Sequence, residues 1–178
     1  MKIVQTKGTD KPHPILALTE VQLFSNGKRI SNSSLSFSLS STHFGMPALF
    51  PKGFSASNCN DGDLADGCGS TEDGSDKAPT LVITGGFPAL DRVVVYNRED
   101  CCEGRIVGAT ITYWVGSQAV WTYEFVIKAA IYYLSIPSGI PFRQRVCDDP
   151  VDADKCIHAS RSMCAKARSG ASASVLAL

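Results

Sequence analysis

The chain has 178 residues, enough for one well-filled domain plus tails, and its 17 lysines and arginines balance 17 aspartates and glutamates. A formal charge of zero argues against a nucleic-acid partner held by phosphate neutralisation and against a polybasic membrane anchor. No apolar run approaches the ~20 residues of a transmembrane helix, so no membrane span is expected.

Seven cysteines are more than a cytosolic domain of this size ordinarily carries, and they point to an extracellular or cell-surface setting. The odd number leaves at least one without a partner in the chain. Met1 to Gly8 hold no apolar stretch of signal-peptide kind, so either a leader lies outside this sequence, which is the preferred reading, or export is unconventional, or the thiols stay reduced.

Residues 1–13 are polar and run into Pro12-His13-Pro14, which reads as an extended lead-in. Ile15 to Phe24 reads as a strand, with Asn26-Gly27 as the turn that follows it. Leu35, Phe37 and Leu39 alternate with serines, the mark of a strand with one apolar face. Asn32-Ser33-Ser34 has the form of a glycosylation sequon, meaningful only in a secreted chain, and reads equally as a Ser-rich turn.

Residues 55–79 lack any apolar period and are rich in Asp and Gly, so they read as loop. Asn58, Asp61 and Asp63 carry oxygen ligands around a Gly turn at a spacing that can wrap a hard cation. No Glu follows at the twelfth position, so the match to an EF-hand is poor, and by themselves these residues read as a solvated acidic turn. Cys59 and Cys68 enclose eight residues and are placed to brace the loop with a local disulfide.

Thr80 to Thr84, Leu90 to Tyr96, Ile106 to Val115, Val120 to Lys128 and Ala130 to Ile136 are short runs rich in Val, Ile, Thr, Tyr and Trp, separated by turn residues. No amphipathic helix is evident. Several such strands at this spacing predict an all-β sandwich over residues 14–137.

The loop between two of these strands carries the densest chemistry. It reads Tyr96-Asn97-Arg98-Glu99-Asp100-Cys101-Cys102-Glu103-Gly104-Arg105. Two guanidinium forks on one rim suit a neutral polyol, a carboxylate or a phosphate. Arg98 and Asp100 also read as a plain structural ion pair. Cys101 and Cys102 either bond to each other, closing a small strained ring that shapes a site, or pair elsewhere and staple the loop.

The spacing Arg98-x-Asp100-x4-Arg105 with Cys101-Cys102 inside, followed by Ile106-x-Gly108-Ala109, resembles the sugar-binding motif of the F-type (fucose-binding) lectins, members of the galactose-binding-domain-like, discoidin-type family. The resemblance spans roughly residues 14–136. It implies a jelly-roll sandwich, a calcium ion held through Asn58, Asp61 and Asp63, and a carbohydrate ligand. Arg98 and Arg105 would donate to sugar hydroxyls, and a Cys101–Cys102 disulfide would offer a flat face to a methyl or C–H surface. The family's site also uses a histidine upstream of the first arginine. At the corresponding place this chain has Asp73 beside Glu72, either of which could accept a hydroxyl hydrogen bond. His43 lies in an earlier loop that could fold towards the site, although a lone His is more often structural.

Residues 138–178 differ in character, with Cys147, Cys156 and Cys164 ahead of an Ala/Ser-rich end. Residues 152–168 could form a short helix. Cysteine spacings of nine and eight, even with His158 nearby, are not the close pairs of a zinc site. A disulfide-tied or protein-bound tail is the better expectation. No hydrolase elbow, zincin motif or phosphate loop is present, so no enzyme is expected. The reading is a calcium-stabilised, carbohydrate-binding domain of an extracellular or cell-surface protein. The alternative is a structural or adhesion subunit that keeps the scaffold without binding sugar.

Overall fold

The computed structural model of the chain describes residues 1–9, 11–44, 53–86 and 89–137. The expected helix at 152–168, Cys147, Cys156, Cys164 and His158 all lie outside the described residues. The strands are β1 (Lys2–Val4), β2 (Ala17–Ser25), β3 (Lys28–Arg29), β4 (Leu35–Leu39), β5 (Cys68–Gly69), β6 (Thr80–Gly85), β7 (Arg92–Asn97), β8 (Thr110–Val115), β9 (Gln118–Glu124) and β10 (Ile131–Ser135). Short 3₁₀ turns sit at Asn32–Ser34, Ala56–Asn60 and Glu103–Ile106.

These strands form two antiparallel sheets. The first runs β4-β6-β1-β8-β9, and the second runs β10-β7-β2-β3 with β5 paired to β2. The alternation seen in the sequence is the reason they close on each other. Leu81 and Ile83 of β6, and Tyr132 and Leu134 of β10, point inward while their neighbours do not. Ile3, Leu81 and Ile111 of the first sheet share one apolar cluster with Leu18, Val21, Val93 and Val95 of the second. The molecule is an all-β sandwich around that core.

The β2–β3 turn has positive φ at both Asn26 (51°) and Gly27 (71°), the conformation that suits a tight hairpin and that Asn-Gly tolerates best. Strand β2 is buried along nearly its whole length because both of its faces are covered. On the outer face the 58–68 loop presses so close that a Cβ on Gly67 would lie 2.5 Å from the Leu18 carbonyl oxygen. Glu20, on the same face, is fully buried. Its carboxylate accepts from Arg29 at 2.7 Å and from the Gly62 N–H at 3.4 Å.

Three features differ from the sequence expectation. Residues 2–4, placed in the lead-in, form β1 in the middle of the first sheet, with Ile3 opposite both Leu81 and Ile111. Three residues are too few to show a period, and the strand exists because neighbours pair with it on both sides. Ile106 belongs to a 3₁₀ turn, so β8 begins at Thr110. Within the expected 55–79 loop, Cys68–Gly69 pairs with Ala17 and Leu18.

The position of β1 has a measurable consequence. Ile3→Ala should lower unfolding stability by ~2–5 kcal/mol, as for a large buried aliphatic residue. The fall should show in the urea midpoint at an unchanged m-value. A loss under ~0.5 kcal/mol, the scale of a surface change, would mean that β1 is peripheral.

Candidate functional site

The loop from Arg98 to Ala109 joins β7 of the second sheet to β8 of the first, and most of it has no strand to pair with. Side-chain amides hold it instead. Asn97, at the end of β7, is buried, and its Nδ2 donates to the Glu103 carbonyl at 2.9 Å and to the Ala129 carbonyl at 3.1 Å. Gln5, just past β1 and fully buried, donates from Nε2 to the carbonyls of Arg105 and Val107 (3.0 Å for the latter). The Lys7 N–H donates to the Gln5 Oε1 at 3.0 Å. Between these anchors, Arg105 N–H reaches the Cys102 carbonyl and Val107 N–H the Gly104 carbonyl, both at 3.0 Å, closing the 3₁₀ turn.

Cys101 and Cys102 bond to each other, and Cys102 has φ of 63°, the left-handed region that non-glycine residues seldom adopt. The vicinal alternative left open by the sequence is the one this fold adopts. Cys101 is exposed and Cys102 half-buried, so one side of the pair faces solvent.

Each arginine has its own carboxylate. Arg98 donates from Nε to Asp100 Oδ1 at 2.9 Å and from a terminal nitrogen to Oδ2 at 2.5 Å, a two-pronged pair that fixes the guanidinium plane. Chiefly through that hydrogen bond, Arg98 holds the Asp100 carboxyl below the usual aspartate range, against a smaller opposing effect of burial. Arg105 donates to Glu72 Oε1. Burial by itself pushes the Glu72 carboxyl up. The Arg105 hydrogen bond and charge, joined by His43 and Lys11, outweigh it and leave Glu72 below its usual range. The Arg98 and Arg105 side chains are only 10% and 6% exposed.

Of the two acids offered for the absent upstream histidine, Glu72 is the one joined to an arginine. Asp73 is exposed and accepts the Ser75 N–H on its own Oδ1 at 2.8 Å, capping its own turn. His13 fixes the backbone there, donating from Nε2 to the Glu72 carbonyl at 2.7 Å. His43 does fold towards this region. Its ring lies 5.2 Å from that of Phe54, and the Arg98 guanidinium sits over the same Phe54 ring at 5.3 Å from its centre. Phe54 and Gln5 escaped the sequence reading. Neither has a local signal, because the partners that place them at the loop, Arg105 for Gln5 and Arg98 for Phe54, lie far along the chain.

The proposed cation residues are held by their own loop. Asn58 is buried; its Oδ1 accepts from the Ser55 hydroxyl at 2.8 Å, and its Nδ2 donates to the carbonyls of Gly53 (2.9 Å) and Gly67 (3.1 Å). Asp61 Oδ1 accepts from the Asp63 N–H, and Asp63 Oδ1 from the Ala65 N–H, each at 2.9 Å. Cys59 and Cys68 are disulfide-bonded across the loop. Among the described residues, no group of three or more His, Cys, Asp and Glu side chains gathers where it could hold a metal ion.

Comparison with protein-family models, with curated proteins and with solved structures finds no match to this chain.

The depressed carboxyl pKa values set an acid limit on stability. Asp100 and Glu72 have folded values below their unfolded ones, so their contribution is complete above the unfolded carboxyl range, about pH 5, and is lost as the pH falls through the folded values. The urea midpoint should fall between pH 5 and 3. The Asp100→Asn, Glu72→Gln double variant should show a shallower fall than the wild type, and equal slopes would mean that these pairs do not titrate with folding.

Proposed function

We propose that this chain is a carbohydrate-binding domain of F-type-lectin kind, on a jelly-roll scaffold of the galactose-binding-domain-like type, acting outside the cell or at its surface. The observation that carries the proposal is one loop with two oriented arginines, each matched to a carboxylate, on either side of a vicinal disulfide. Matched charges leave the site near electrical neutrality. That favours an uncharged polyol over a free carboxylate or phosphate, whose charge would have to displace an existing partner. Arginine N–H groups can donate to sugar hydroxyls, Glu72 and Asp100 can accept from them, and the exposed side of Cys101–Cys102 can meet an apolar sugar face. Calcium belongs to the same proposal on the strength of the resemblance alone, since among the described residues no three His, Cys, Asp or Glu side chains gather around Asp61 and Asp63.

A second reading also has an observation in its favour. Both arginines are nearly buried and already paired, as in a clamp that only stabilises the loop. The chain would then be a structural or adhesion subunit of a larger assembly, with protein partners at its C-terminal tail.

A glycan array probed with calcium present separates the two readings. The first expects signals on neutral glycans that are lost in the Arg98→Ala, Arg105→Ala double variant and strongly reduced in Arg98→Lys, which keeps the charge but not the planar fork. Silence from a folded wild type supports the assembly subunit. For calcium, EDTA should lower Tm by roughly 5–10 °C, the scale of ~2.7 kcal/mol for a ligand at a hundredfold excess over Kd. An unchanged Tm with no bound metal would remove calcium from the proposal.

A further inference from the structure

Arg98 and Phe54 also border a cleft. It lies between residues 64–67 and the adjoining ends of β7 and β10, with a volume of about 410 Å3 and with Arg98, Asp100 and Phe54 on its wall. The disulfide, Arg105, Glu72 and His43 are not part of that wall, so the cleft lies beside the arginine site and meets it at Arg98. Its volume is at the small end of ligand sites, roughly 300–1,000 Å3, the scale of a saccharide unit and not of a large cofactor.

Two properties of the walls define what fits. Tyr96, Phe54 and Leu64 supply apolar and aromatic surface, and Leu64 is 54% exposed on a loop that is otherwise polar. Such surface suits the C–H face of a pyranose ring. The charged groups that face the cleft are two exposed acids, Glu99 and Asp100, against the one arginine; Asp66 also lines it, but its carboxylate oxygens are buried. Carboxylates accept from sugar hydroxyls and repel anions. The wall is also formed in advance. The 64–67 backbone is held by the Asp63–Ala65 turn, by the Asn58 bond to the Gly67 carbonyl and by the Cys59–Cys68 disulfide, so little ordering is needed on binding.

We infer that this cleft is a second sugar subsite that takes the next, uncharged residue of a glycan whose terminal residue sits at Arg98 and Arg105, and that its acids reject sialylated or sulfated neighbours. The inference rests on the lectin reading of the arginine loop. Continuity through Arg98 is what selects a glycan as the occupant: a sugar held over the arginines has its neighbour at the mouth of the cleft.

Titration calorimetry on the full chain tests this with methyl fucoside, methyl galactoside, the neutral trisaccharide fucosyllactose, its anionic counterpart sialyllactose, and a lysine-rich peptide. The wild type should bind the neutral trisaccharide at least about tenfold more tightly than either monosaccharide, and sialyllactose no more tightly than a monosaccharide. Ala130→Trp, at an exposed position on the cleft wall, should fill the space and erase the trisaccharide advantage while leaving monosaccharide affinity unchanged. Leu64→Asp, also exposed and remote from the core, should do the same if the bulky tryptophan disturbs folding. Equal affinity for monosaccharide and trisaccharide, or an advantage that survives both variants, overturns the subsite while leaving the arginine site standing. Binding of the peptide alone, lost in Ala130→Trp, also overturns it and makes the cleft a cationic-peptide site. No binding of any sugar overturns the lectin reading, and the subsite with it.

Discussion

Two buried carboxamides, Asn97 and Gln5, hold the part of this molecule that matters most. The arginine loop crosses from one sheet to the other where no ladder can satisfy its backbone, and an unpaired buried carbonyl costs as much as a lost hydrogen bond. Asn97 takes the carbonyl of Glu103, and Gln5 takes those of Arg105 and Val107. One amide comes from the second sheet and the other from just past β1 of the first, so the loop is tied to both halves of the sandwich. Its side chains are presented by a backbone that has few other conformations open to it.

On that support the charges are arranged in pairs. Arg98 with Asp100 is a local contact along the loop, whereas Arg105 with Glu72 spans two distant segments and draws the 72–75 turn to the site. His13 steadies that turn through the Glu72 carbonyl, and His43 approaches through its contact with Phe54. Under the proposed carbohydrate-binding role, pairing of this sort has two consequences for recognition. It fixes the planes of the forks before any ligand arrives, which lowers the entropic cost of binding. It also removes the net positive field that would otherwise favour anions.

The 58–68 loop has a comparable double role. It covers the outer face of β2, closing over the buried Glu20 that the exposed Arg29 partners, and it forms one wall of the cleft beside Arg98. Its disulfide and its Asx turns give it a shape of its own, so a cation would add to an existing fold and would not create one.

Much of the architecture was legible in the chain because the relevant physics is local. Alternation with a period of two marked β4, β-branched and aromatic composition marked β6 and β10, the Asn-Gly turn suited positive φ, and the short Cys59–Cys68 span put a local brace within reach. The Arg-x-Asp spacing likewise carried its own ion pair, since those side chains meet within two residues. What had no local signature was decided by packing across the fold. Residues 2–4 became a central strand because β6 and β8 left a place between them. Glu72, and not Asp73, met Arg105 because one of two adjacent acids faces the site while the other caps its own turn. Gln5 and Phe54 joined the site from segments whose composition says nothing of it, while His43, offered by the sequence only as an option, reaches it through Phe54. Pattern along a chain reports which face of an element is buried, but the partner that faces a given side chain is set by long-range closure, and only the tertiary structure decides that.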